Sequence, residues 1–133
     1  MTENRTKNSK LTILLVEPSS QQIAQLKRDI PDWNWIEMPP PQHDTGVFIS
    51  GQSQVDVVIV FAKSNEEEYA LTLCEKIRKL PELNSIPLLV AINRYQMMLG
   101  NDVKHLPLSH FIFAPIDKNS LIEKLEEINT SQR

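Results

Sequence analysis

The sequence predicts an α/β domain in which a five-stranded parallel sheet is covered by helices on both faces. Short apolar runs alternate with segments of helical spacing, and turn residues, often proline, separate them. Such alternation is typical of parallel sheets, because parallel neighbours must be joined by a crossover, which is usually a helix. The predicted strands are residues 11–16, 33–38, 55–61, 86–92 and 110–115.

Length and composition fit one globular domain. The 133 residues are 41% hydrophobic and carry a net charge of −3, which does not indicate a nucleic-acid-binding surface. No apolar run approaches the roughly 18 residues that a membrane span needs. The single cysteine, Cys74, cannot form an internal disulfide, and this fits a reducing, cytoplasmic setting. We expect a disordered leader at 1–10, an ordered domain at 11–129 and a tail at 130–133.

Residue types also predict helix ends and one buried helix face. Ser19 or Ser20 can cap the first helix, and Pro31 ends it. Glutamates at 66–68 favour the N-terminus of the helix after the third strand. The buried stripe of that helix, at helical spacing, is formed by Ala70, Leu73, Cys74 and Ile77.

The remaining connections are less regular. Gly100 and Pro107 are expected to interrupt the helix between the fourth and fifth strands. Residues 42–54 fit a short helical or irregular piece. The last helix, capped by Asp117 or Asn119, places an apolar face toward the core, formed by Leu121, Leu125 and Ile128.

Three stretches resemble the receiver domain of two-component response regulators. They are LTILLVEPSS at 11–20, CEKIRKLPELNSIPLLVAI at 74–92 and FIFAPIDKNSLIEKL at 111–125. The similarity spans roughly residues 10–129. It implies a flavodoxin-like (CheY-like) three-layer sandwich with strand order 2-1-3-4-5.

The resemblance also implies which positions should carry phosphoryl transfer. In the family, two acidic residues after the first strand hold magnesium, an aspartate ending the third strand accepts the phosphoryl group, and a hydroxyl and a lysine follow on the last two strands. Here those positions are held by Glu17, Pro18, Phe61, Ile92 and Ala114. Glu17 is an acceptable acid, and Phe111 keeps the family's aromatic position. The resemblance therefore implies a pseudo-receiver that cannot be phosphorylated.

Because the replacements are uncharged and mostly apolar, we expect the former polar pocket to be packed apolar surface. Glu17 is then expected to be a solvated turn residue rather than a metal ligand, and no metal or other cofactor is expected. Lys63 and Ser64 are expected on a surface loop, which is favoured over a Ser-Lys catalytic pair.

Two segments could contact a partner. Trp33 and Trp35 share one face of the second strand, where core packing is favoured over binding. The segment after the fourth strand contains two adjacent methionines that cannot easily both face inward. The candidate interaction surface in that segment is Tyr95, Met97, Met98 and Leu99.

The sequence thus leads to a non-enzymatic pseudo-receiver that acts by protein–protein contact in a two-component or phosphorelay system. The expected partner is another signalling protein, such as a histidine kinase, regulator or output protein, or a second copy in a homodimer. Neither nucleic acid nor membrane is an expected partner. The alternatives are a small-ligand-binding or enzymatic flavodoxin-like domain, in which Ser19 and Ser20 would offer a phosphate-binding turn, and an atypical receiver phosphorylated elsewhere.

Overall fold

Five strands form one parallel sheet in the order β2-β1-β3-β4-β5. The computed structural model describes residues 11–17, 19–38, 55–81 and 83–131. Each strand overlaps one predicted from the sequence, and the order is the one that the family resemblance implied. The strands are β1 Thr12–Val16, β2 Asn34–Met38, β3 Val57–Phe61, β4 Leu88–Ile92 and β5 Ser109–Phe113.

Four α-helices lie in the described ranges, namely α1 Ser20–Asp29, α2 Glu67–Lys79, α3 Met97–Val103 and α4 Lys118–Ser131. A 3-10 turn, Arg94–Gln96, leads directly into α3. The Ser19 hydroxyl accepts a hydrogen bond from the Gln22 amide, and the Asp117 carboxylate accepts one from the Ser120 amide. Ser19 and Asp117 are therefore the N-terminal caps of α1 and α4. Each is one of the two residues that the sequence offered for its helix.

The sheet separates two apolar layers. The α2–α3 layer includes Leu14, Val58 and Val90 from the three central strands. The α1–α4 layer includes Ile13, Ile59 and Leu89 from the same strands. These strands are buried on both faces, which explains why their sequences are continuous apolar runs rather than alternating ones.

The predicted stripe of α2 lies in the α2–α3 layer, and all four of its side chains are buried. Cys74 is fully buried there, and burial raises the pKa of its thiol to about 12. The thiol is consequently a small core group without nucleophilic character at neutral pH.

Trp33 and Trp35 pack into the core, as favoured from the sequence. Trp33 is 6% exposed, and the two ring centroids are 5.8 Å apart. The Trp35 indole N–H donates a hydrogen bond of 3.0 Å to the Ile30 carbonyl. Both indoles belong to the α1–α4 layer rather than to an open aromatic surface.

Gly100 does not interrupt α3, contrary to expectation. It lies in the middle of the helix and is buried against the sheet. A Cβ at this position would come within 2.9 Å of the Phe111 ring. Close packing of α3 against the sheet thus requires a residue with no side chain at this position. This requirement outweighs the low helix propensity of glycine.

The predicted limits of the domain stay predictions. Helix α4 continues to Ser131, so the segment predicted as a tail at 130–133 begins with helical residues. The predicted leader at 1–10 and the irregular segment 42–54 lie outside the described residues. In the described part of the chain, no helix is long and apolar enough to cross a lipid bilayer.

Candidate functional site

An open depression lies at the carboxyl ends of β1, β3 and β5, the edge where parallel sheets usually place function. Its volume is about 510 Å³. The sheet brings together three of the positions that the resemblance singled out, Glu17, Phe61 and Ala114. Pro18 lies outside the described residues, and Ile92 ends β4 in the core. The lining residues are Glu17, Ser19, Gln22, Phe61, Ala62, Lys63, Ala114 and Pro115.

The expectation that this pocket is packed is wrong, although its wall is mainly apolar, as expected. Phe61 is half-buried and packs on the α1–α4 layer, away from the α2–α3 layer. Ala114 is exposed, and its methyl group is too short to fill the space beside Phe61. The depression therefore stays open, and polar side chains form part of its wall.

Glu17 is paired and largely buried, so the expectation of a solvated turn residue is also wrong. Its side chain is 6% exposed, and its Oε1 lies 3.4 Å from Lys63 Nζ. Its Oε2 accepts a hydrogen bond from the Tyr69 hydroxyl. The backbone of Glu17 has a φ of 58°, in the left-handed region that residues with a Cβ seldom adopt. The chain thus leaves β1 through an unfavourable turn that directs the carboxylate toward Lys63 and Tyr69.

Tyr69 was not identified from the sequence, and Lys63 was assigned only to a surface loop. Lys63 does lie in an exposed loop, with 58% of its side chain accessible, yet its ammonium reaches Glu17. A signal for this pair was present, since Glu17 follows β1 and Lys63 follows β3, its neighbour in the sheet. Tyr69 stands in the first turn of α2 beside the buried stripe, and its sequence context gives no comparable signal.

The Glu17 carboxylate also alters the chemistry of Tyr69. The hydrogen bond to Glu17, together with burial and the nearby negative charge, raises the pKa of the Tyr69 phenol from 10.0 to about 12. The phenol therefore remains a neutral donor throughout the neutral range.

Gln96 is a second polar anchor that sequence reasoning missed. Its side chain is buried, and its Oε1 accepts a hydrogen bond from the Asn93 amide. Its Nε2 donates to the Lys63 carbonyl at 3.1 Å and to the Glu67 carboxylate at 3.0 Å. The bond to Gln96 holds the pKa of Glu67 below its ordinary value. Gln96 thus fixes the backbone of Lys63, while Glu17 holds its ammonium.

Ile92 and Phe111 hold the positions that the resemblance aligned with the family's hydroxyl and aromatic residues. Both side chains lie beside Gly100 of α3. Ile92 is fully buried, and Phe111 is half-buried. The Phe111 ring centroid is 5.7 Å from that of Phe113 in an edge-on arrangement. The Arg94 guanidinium lies over Phe113, 5.2 Å from its centroid.

The candidate interaction surface is only partly accessible. Tyr95 is 98% exposed and Met98 is 82% exposed, whereas Met97 is 39% exposed. Leu99 is 4% exposed and cannot belong to that surface. The reason is the rotation of α3, which turns Leu99 and Val103, four residues apart, into the α2–α3 layer. The exposed Phe113, whose ring lies under Arg94, is therefore included in this surface instead of Leu99.

Sequence comparison finds no matching protein family and no matching curated relative. Structural comparison does find similar folds. A response regulator from Thermotoga maritima has a TM-score of 0.62 at 18% identity, over 91% of this chain and 98% of that one. A response regulator receiver protein from Sinorhizobium medicae has a TM-score of 0.63 at 11% identity, over 94% and 98%. A CheY-like protein from Pseudomonas aeruginosa has a TM-score of 0.69 at 8% identity, over 90% and 93%. The chain has the receiver fold.

On this receiver fold, the polar groups around the depression are largely engaged with one another. The Ser19 hydroxyl caps α1, and the Gln22 side chain both donates to and accepts from the Ile116 backbone, at 3.1 and 2.8 Å. In the described ranges, no three acidic, histidine or cysteine side chains converge as metal ligands would. The site therefore offers internal pairing rather than an evident ligand shell.

Proposed function

We propose that the protein is a non-phosphorylatable pseudo-receiver that acts by protein–protein contact in two-component or phosphorelay signalling. The observation that carries the proposal is that β3 of a receiver fold ends in Phe61. A phenyl ring has no oxygen with which to attack phosphorus, so it cannot form a phosphoryl adduct. The proposed role is regulatory rather than enzymatic, in the cytoplasm.

The charges around Phe61 support the proposal. The Glu17 carboxylate already pairs with Lys63 and Tyr69, so a metal ion there would compete with both. Lys63 is in turn committed to Glu17, and Ala114 carries no charge to offset a phosphoryl group. Metal-assisted phosphoryl transfer depends on such positive charge around the transferred group.

The proposed contact surface lies on α3 and its preceding turn. Tyr95 and Met98 are the most exposed of the large hydrophobic side chains in the described ranges. Arg94 directly precedes Tyr95, and its guanidinium lies over the Phe113 ring. Aromatic and arginine side chains are frequent anchors of protein interfaces, and methionine adapts to irregular partners. The proposed occupant is another signalling protein, and self-association is the alternative outcome.

One observation favours a second candidate, a small-ligand-binding domain, because the depression is open and has a volume of about 510 Å³. Its polar wall is internally paired, however, because Glu17 and Lys63 bind each other. The pseudo-receiver is therefore the better supported function.

A titration with beryllofluoride and Mg²⁺, followed by backbone amide NMR, tests the proposal. Beryllofluoride mimics a phosphoryl group and needs an acceptor carboxylate with a bound metal. We expect no saturable shifts at Phe61, Ala62 or Lys63, and a phosphorylatable receiver domain serves as the positive control. Saturable shifts there that require Mg²⁺ would contradict the proposal. Shifts with beryllofluoride alone would favour the ligand-binding candidate.

A further inference from the structure

Gly100 occupies the one point of α3 where a side chain has no room. A Cβ at this position would lie 2.9 Å from Phe111 Cδ2, 3.2 Å from Phe111 Cε2 and 3.0 Å from Ile92 Cδ1. Favourable separations between carbon atoms are roughly 3.5–4.0 Å, so a methyl group would overlap the ring. The absence of a side chain at Gly100 therefore leaves a space beside α3 and Ile92 that the Phe111 ring occupies. We call this space the seat of Phe111.

The ring in this seat is connected to the protein surface. Its edge meets Phe113, and Phe113 stacks under the guanidinium of Arg94, which precedes α3. The Lys104 ammonium, at the other end of α3, lies 6.0 Å from the Phe111 centroid. The seat therefore links both ends of α3 to β5 through aromatic contacts.

Helix α3 cannot easily move aside to relieve an overlap. Leu99 and Val103 are buried in the α2–α3 layer on the same helix. Gln96, immediately before α3, is buried and bonded to Lys63 and Glu67. The half-buried Phe111 ring is the more movable partner, since it can turn toward solvent.

We propose that Gly100 is a positioning residue that fixes the α3–β5 surface in one state by seating Phe111 against Ile92. Any side chain at position 100 would turn the ring outward and disturb Phe113 and Arg94 beside it. The packing itself is independent of the proposed function, but its consequence for binding rests on that function. The surface would then be set by glycine packing rather than by a chemical signal.

The test compares Gly100→Ala with Asn101→Ala, an exposed neighbour on the same helix. Both changes raise helix propensity, but only the first places a methyl group against the ring. We expect Asn101→Ala to keep the parent's nuclear Overhauser contacts between the Phe111 ring and the Ile92 methyl groups, with an equal or higher Tm. We expect Gly100→Ala to lose those contacts, shift the Phe113 and Arg94 resonances and lower the Tm. Retained contacts with a raised Tm would overturn the proposal.

A Phe111→Leu background provides the second measurement. Leucine is smaller than phenylalanine and leaves space for the methyl group, so Gly100→Ala should lower the Tm less there than in the parent, or raise it. An equal loss of Tm in both backgrounds would contradict the proposal, and so would a larger loss with leucine. If Gly100→Ala alone does not fold, recovery of folding in the double variant supports the seat, and failure of both contradicts it. Phosphorylation of the parent would refute the proposed function while leaving these outcomes unchanged.

Discussion

Lys63 and Glu17 form an ion pair across the carboxyl edge of the sheet, with Nζ 3.4 Å from Oε1. The carboxylate is almost completely buried, whereas the lysine is mainly exposed, so the pair chiefly compensates the cost of burying Glu17. Tyr69 adds a neutral donor to the same carboxylate. A charge that would otherwise need an external cation is thus balanced within the chain.

Removing the lysine charge should destabilise the domain. We expect Lys63→Met to lower the free energy of unfolding by about 1–2 kcal/mol, because Glu17 stays buried with only a phenol as partner. Urea unfolding measures the change. The matched control is Lys76→Met, an exposed lysine on α2, for which we expect a change within about 0.5 kcal/mol. Equal effects of the two substitutions would show that the ion pair contributes nothing specific.

The Tyr69 phenol should titrate late. The chain has two tyrosines, Tyr69 and Tyr95. In a Tyr95→Phe background only Tyr69 remains, so tyrosinate absorbance reports Tyr69 alone. We expect a midpoint at about 12, moving back toward 10.0 in Glu17→Ala, which removes both the hydrogen-bond acceptor and the negative charge that raise the pKa. A midpoint near 10.0 in the presence of Glu17 would mean that the hydrogen bond does not form.

The same shift makes stability depend on alkaline pH. Since the folded pKa of Tyr69 is raised from 10.0 to about 12, its contribution is fully present below pH 10 and is lost as the pH rises through 12. Tyr69→Phe should therefore lose less stability than the parent between these two pH values. Parallel urea midpoints of the two proteins across that window would be the opposing result.

Placing an aspartate at the end of β3 should not make the domain phosphorylatable. Phe61→Asp leaves Pro18 and Ala114 unchanged, so the positions that the resemblance aligns with the family's metal ligand and lysine still carry no charge. Because Phe61 is half-buried, we expect the variant to lose about 1–3 kcal/mol of stability, and Phe61→Leu, the apolar control, to lose less. Urea unfolding and intact mass after acetyl phosphate treatment measure both effects. A phosphorylated Phe61→Asp variant would show that the remaining pocket is still competent.

The surface on α3 should be separable from folding. We expect Met98→Glu and Tyr95→Ala to weaken partner capture or self-association while keeping the parent's Tm, because both side chains are exposed. Gln21→Glu, an exposed position on α1, introduces the same charge elsewhere and should leave binding unchanged. If Gln21→Glu abolishes the contact and both α3 variants retain it, the contact surface lies elsewhere.

The sheet could be predicted because its central strands are buried on both faces and leave continuous apolar runs, as at residues 57–61 and 88–92. The predicted strand order brings Glu17 and Lys63 to the same edge of the sheet, but their pairing was not predicted, since it also depends on the left-handed turn at Glu17 and on the path of a loop 46 positions later. Leu99 was misplaced for a related reason. A seven-residue helix holds too little periodicity to fix its rotation, so burial was decided by packing on the sheet.

We propose that this domain with the receiver fold cannot accept a phosphoryl group. The most direct measurement is the intact mass of the protein after incubation with acetyl phosphate and Mg²⁺, with a phosphorylatable receiver domain treated in parallel. We expect the mass to remain that of the unmodified chain while the parallel domain gains a phosphoryl group, because Phe61 offers no nucleophile. A gain of one phosphoryl group, located by peptide mapping on an aspartate or glutamate of this chain, would contradict the proposed pseudo-receiver function.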